Sequence, residues 1–391
     1  MMLEYFSEKL AADKRLREEL GYTWYIVKAW DADGLKLNEG WLKGPFSIYN
    51  YSRNFFRPAG YKQVDWTFPV DYKELHFHDT IPETQAMMRL IDEIKPHFIY
   101  SLHNSGFGGA YWYITEPLDP IYDEIRAAAQ RVNIPLNLGE PEAPFCVTLS
   151  PAIYRSFGIE QQYDFMEKYG ETNIAEKLKV GNCSESYSRT RYGTFTLLTE
   201  LPYFYDKRVM DLSEGTVTRR DAVLRNLDER KQRNEFIKNA MEKTRKFIDP
   251  GNPFLLALEA FTKDLGDAST RIMVELSPDF ARKATVAEEF DNLCISGFYN
   301  SLSYGMLIRM NEYELMSMKQ QGEQNSEKEK ALTDAISEAE KAHRTLTDRL
   351  EAELDYQVVP IKKLVSVQLE CGLLVSDYLK DKEPLSREVG I

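Results

Sequence analysis

Two apolar runs in this chain end in a side chain suited to proton or metal chemistry. The run from His97 to Leu102 leads into His103, followed by Asn104 and a turn holding Gly106, Gly108 and Gly109. The run TFTLLTELPYF, residues 194 to 204, carries Glu200 just ahead of Pro202. An imidazole at the carboxyl end of a strand stands where open α/β sheets place their ligands. A carboxylate closing an apolar strand lies in low dielectric, which raises its basicity and suits it to accept a proton. Arg53 and Arg57 can grip a substrate carboxylate in forked geometry. The glycines let backbone approach a ligand closely.

Other candidates are thinner. His76 and His78 alternate in LHFHD and project to one side of an extended segment, a spacing that can hold a metal only with a third ligand from elsewhere. His97 reads as structural, and His343 as a core or register histidine on a helix. Cys146, Cys183, Cys294 and Cys371 are far apart and make neither a zinc knuckle nor a disulfide framework.

These side chains need elements to hold them. Met2, Tyr5, Phe6 and Leu10 recur at helical spacing and predict a helix over 2–20 ending at Gly21. YTWYIVKA, residues 22–29, reads as a covered strand, and residues 35 to 63 as a long functional loop. Pro82-Glu83 starts a helix to residue 94 that points Ala86, Leu90, Ile91 and Ile94 inward; AYWYI (110–114) is a strand, and LDPIYDEIRAAAQRV a helix. Alternating helix and strand argue for an α/β fold, a mostly parallel mixed sheet flanked by helices, over residues 1–205. From 206 to 391 the chain reads as an all-helical extension, with helices over 217–248, 252–264 and 284–318. Leu332, Ile336, Ala339, His343, Leu346 and Leu350 form the seam of a coiled coil or hairpin.

The stretch from Val64 to Ile114 resembles the zinc carboxypeptidase (metallocarboxypeptidase) family, in which a Pro-Glu-Thr starts a helix and the next strand ends in Leu-His. The resemblance makes His103 a zinc ligand and Glu200, on the late strand, the general base. It implies one zinc ion held also by a His-x-x-Glu, a motif this sequence lacks, so the chain reads as N-terminally truncated and its zinc as weakly held or absent. Asp31-Ala-Asp33-Gly34 resembles the family's Asn-Pro-Asp-Gly turn. Asp65-Trp66-Thr67-Phe68-Pro69 stands where the family has Asn-Arg-Asn-Phe-Pro, so the carboxylate clamp is replaced, and Arg53, Arg57 and Asn104 are the remaining substrate-binding candidates.

The net charge of -13 and a sequence pI near 5.1 argue against nucleic acid and anionic membrane as partners. A peptide or a small acyl-amide fits better. No apolar run is long enough to span a membrane, and the chain as written is expected in the cytoplasm. The expected activity is zinc-assisted amide hydrolysis, silent until the missing ligands are supplied. The alternatives are an amidase or deacylase on a non-peptide substrate, and a non-catalytic oligomeric interaction module; under any of these the chain is expected to form a homo-oligomer through its helical half. Glu185 and Glu140 are the carboxylates to test as base if Glu200 is not.

Overall fold

The structure is a computed structural model describing residues 2–385. Its first helices, α1 (Met2–Ala12) and α2 (Lys14–Leu20), come from one predicted helix broken at Asp13, whose carboxylate accepts the Leu16 N–H and so caps α2. Tyr22 to Ala29 forms neither helix nor strand and joins no sheet. The expected loop over 35–63 is folded: α3 (Ala32–Leu37), α4 (Glu39–Leu42) and α5 (Ile48–Asn54) are short helices, two of them capped by Asp31 and Ser47. Asp31-Ala-Asp33-Gly34 is therefore a helix start rather than a turn. Polar capping side chains look like loop residues in sequence, and here they begin helices.

A hairpin of β1 (Val70–Tyr72) and β2 (Leu75–Phe77) precedes α6 (Pro82–Ile94). Ile91 is the buried apolar residue of α6, whereas Ala86 is exposed; Thr84 is buried instead and hydrogen-bonds Thr67 and the Val64 carbonyl. The central sheet comprises β3 (Phe98–His103), β4 (Tyr111–Ile114), β5 (Thr148–Ser150), β6 (Ile153–Arg155) and β7 (Phe195–Glu200), in the order β3-β7-β4-β6-β5. β3 with β7 and β4 with β6 are parallel; β4 with β7 and β5 with β6 are antiparallel. The sheet is mixed in equal parts, not mostly parallel.

One face of the sheet packs on α7 (Tyr122–Arg131), with Trp112, Ile114, Ile125, Ala128 and Leu197 fully buried between them. The helices α8 (Ile159–Lys168), α9 (Ile174–Leu178) and α10 (Ser184–Tyr192) follow, with α10 against β7. Beyond residue 206 come α11 (Arg219–Thr244), α12 (Pro253–Phe261), α13 (Asp267–Leu276), α14 (Val286–Phe290), α15 (Ser296–Gln320), α16 (Ser326–Glu353) and α17 (Ile361–Leu379). α15 and α16 form a hairpin. The predicted seam is real: Leu332, Ala339, His343 and Leu350 are buried, and Ile336 and Leu346 partly so. Its partner face is within the chain, on α15, α11 and α5.

α17 returns to the sheet. Leu364, Val367, Cys371 and Val375 complete the core beneath β3 and β7, and the Tyr100 hydroxyl donates to the Gln368 carbonyl at 2.6 Å. No described helix is long and apolar enough to cross a membrane.

Candidate functional site

His103 and Glu200 are each the last residue of a strand, and the parallel register of β3 and β7 sets them side by side. The imidazole Nδ1 lies 3.1 Å from Glu200 Oε1. Glu200 is 9% exposed, whereas the His103 ring is partly open to a cavity of about 1310 Å³. Burial disfavours the charged imidazole, but the hydrogen bond and charge of Glu200, with Asp65 and Glu142 nearby, outweigh it and raise the His103 pKa above its ordinary value. The other Glu200 oxygen, Oε2, is buried and has no hydrogen-bond partner in the chain.

More carboxylates crowd the cavity. Asp65 accepts the Ser184 N–H at the start of α10, 2.7 Å away, and desolvation still raises its pKa. Glu142 accepts from the Tyr113 hydroxyl; the protein around it, then the charge of Glu200, raise its pKa. Glu185, 9% exposed, accepts from Thr115 and is pushed up to about 6 by burial, with Arg189 opposing. These like charges make the cavity a place that favours protons or a cation. Arg57, exposed at the cavity wall and hydrogen-bonded to Gln63, opposes the rise of the Glu142 pKa. Comparison with protein-family models, curated proteins and solved structures gave no match.

Several predicted site residues lie elsewhere. Arg53 points into the helical layer, bonded to Glu312 at 2.6 Å and beside Glu340, so it holds α5 to α15 and α16. Asn104 lines the cavity, but its amide donates to the Leu201 carbonyl and ties the two strand ends together. His76 and His78 both bond Asp71 on the exposed hairpin, and the three are not placed to hold a metal ion. Glu140 is gripped by Arg219 at 2.6 and 2.8 Å, which removes it as a base candidate. The glycine turn meets protein: a Cβ on Gly106 would strike Phe298, and one on Gly109 would strike the Leu136–Asn137 backbone. All four cysteines are free thiols.

Among the described residues no group of three or more His, Cys, Asp or Glu is placed to hold a metal ion. His103 spends Nδ1 on Glu200 and has no second imidazole beside it. Catalytic zinc takes three protein ligands, so the described residues by themselves do not fit it. Sequence reading passed over Glu142, Asp65 as a site residue, and Tyr113. Glu142 lies in the proline-flanked GEPEAP, which carries no signal beyond that of a loop.

Proposed function

We propose that the paired strand ends form the base-bearing part of a hydrolytic site for amide bonds, of the metallocarboxypeptidase kind, acting on a peptide or small acyl-amide. The observation that carries this reading is the state of Glu200. One oxygen is held by His103; the other is buried, unpartnered and beside the cavity. Such a carboxylate is set to take a proton from a water as that water's oxygen bonds to a carbonyl carbon. The same proton then passes to the leaving nitrogen as the C–N bond breaks. Arg57 stands where it can meet a negatively charged end of the substrate.

The single imidazole favours a second reading, a docking module without catalysis. One experiment separates the two. The chain is extended at its N-terminus by an apolar strand ending in His-x-x-Glu, supplied with zinc, and assayed on N-acyl amino acids and dipeptides. The expected result is background turnover without the extension, measurable hydrolysis with it, and a fall of about 10²–10⁴-fold for Glu200→Gln in the extended chain. An extended chain that takes up zinc and stays inert, or a Glu200→Gln variant that keeps most of its activity, would overturn the hydrolase reading.

A further inference from the structure

Residues 22–30 have the features of a strand except its ladder. Their exposure alternates: Tyr22, Trp24 and Ile26 are half-buried toward α1 and α17, while Thr23, Tyr25 and Val27 face out. Tyr25 is 56% exposed and Val27 39%. Yet no backbone–backbone hydrogen bond involves any residue from 22 to 30 among those described. Nine residues outside helix and sheet whose backbone groups find no backbone partner, half-covered by protein, are unusual, because buried backbone groups are nearly always paired.

β3 shows the complementary defect. It pairs with β7 on one edge only, and all its residues are half-exposed although helices lie on both its faces. A covered parallel strand should be buried along its length. The cavity that holds His103 and Glu200 is also lined by this strand along its whole length. Tyr22 to Trp30 and Phe98 to His103 all line it; Leu90 and Ile91 of α6 border it, as do Phe6 of α1 and Leu373 of α17. The Trp24 indole N–H and the Thr196 hydroxyl, both buried and without partners, belong to the same lining.

We propose that this cavity is a slot for an extended apolar peptide segment, supplied from outside these 391 residues, that pairs with β3 on one edge and with Tyr22–Ala29 on the other. Two segments with unpaired backbone groups lining one cavity call for a strand, which has donors and acceptors along both edges. A drug-sized ligand, which fills about 300–1,000 Å³, would leave both segments unpaired. A second copy of the chain is the poorer occupant, since its own β3 offers a single free edge. Helices on both sides of the slot require apolar side chains on both faces of the incoming strand, hence a continuous Val/Ile-type run rather than an alternating one. Matching β3 along its length takes about six residues, roughly 20 Å. Basic flanks suit the acidic chain. This inference concerns binding and holds whether or not Glu200 is a catalytic base.

The test is hydrogen–deuterium exchange on the whole chain with the blocked peptide Lys-Lys-Val-Ile-Val-Ile-Val-Ile-Lys-Lys, and with the same peptide carrying proline at its fourth residue. An inserted strand uses its N–H groups on both edges, so one proline within the run breaks a ladder bond wherever it falls. The first peptide should slow exchange at least tenfold over 22–29 and 98–103 and leave 219–244 unchanged, while the proline peptide should do neither. No protection, equal protection by both peptides, or protection of these segments that rises with protein concentration in the absence of peptide would overturn the proposal. The last outcome would assign the slot to a second copy. Because the readout is exchange and not turnover, its failure leaves the Glu200 assay to decide the hydrolase reading separately.

Discussion

His103 and Glu200 meet because two strands run parallel in a register that ends both on the same rung. Each was legible in the sequence as a polar residue closing an apolar run; their contact was not, since register is a property of the folded sheet. Arg53 shows the opposite case. Its loop-like neighbourhood conceals a helix, and the guanidinium is consumed by Glu312. His343 was read as a core histidine, and it is one: 1% exposed, its Nε2 2.7 Å from Ser52 Oγ, with burial and then the charge of Arg53 pushing its pKa down to about 4. Between that value and the ordinary one of about 6.5, the unfolded chain binds a proton the folded chain refuses, so this group's contribution is whole above about pH 6.5 and is lost as pH falls toward 4. The shift is worth about 3 kcal/mol. Glu185, raised to about 6, and Asp291, raised to about 7 by burial and then by the charge of Glu140, act in the opposite sense over overlapping windows. The comparison must therefore be made between variants. Urea unfolding of His343→Gln should lose less stability between pH 6.5 and 4 than the parent by about that amount; identical pH slopes would show that His343 is not held neutral.

At the scale of elements, the strongly periodic stretches were readable: α6, β3, β4, α7, β7 and the α16 seam stand where apolar spacing puts them. Residues 22–29 carry a strand's pattern too, and what is missing is a partner, which no local pattern encodes. The helices of 32–54 were hidden because their caps and aromatic residues read as loop chemistry, and their burial depends on α15, some 250 residues away. That contact turns on Gly305. A Cβ there would come within 1.9 Å of the Ser52 carbonyl oxygen, a backbone atom that can retreat only by moving α5 off α15. Gly305→Ala should gain helix propensity worth under about 1 kcal/mol and lose more to the clash, for a net loss of about 1–3 kcal/mol in denaturant unfolding. A variant as stable as the parent would mean that the helices part more easily than this packing implies.

Over the whole molecule, the change of composition near residue 206 suggests a boundary that the packing does not respect. Arg309 of α15 donates to the carbonyls of Asn54, Phe55 and Leu37. Gln357–Val358 pairs with Phe204–Tyr205. α17 lies under β3 and β7 and buries Leu364, Val367, Cys371, Val375 and Leu379, each at 5% exposure or less. At about 1.5–3 kcal/mol for a fully buried apolar side chain, that one helix contributes on the order of 10 kcal/mol, as much as the whole net stability of a typical domain. The first half therefore has its sheet and its site but not the cover that keeps them folded. A fragment of residues 1–205 should show no cooperative thermal transition and should bind a hydrophobic dye, while the full chain unfolds with sheet and helical signals lost together. A fragment that melts cooperatively near the temperature of the full chain would restore the boundary at 206 and make the helical half an accessory to an independent α/β unit.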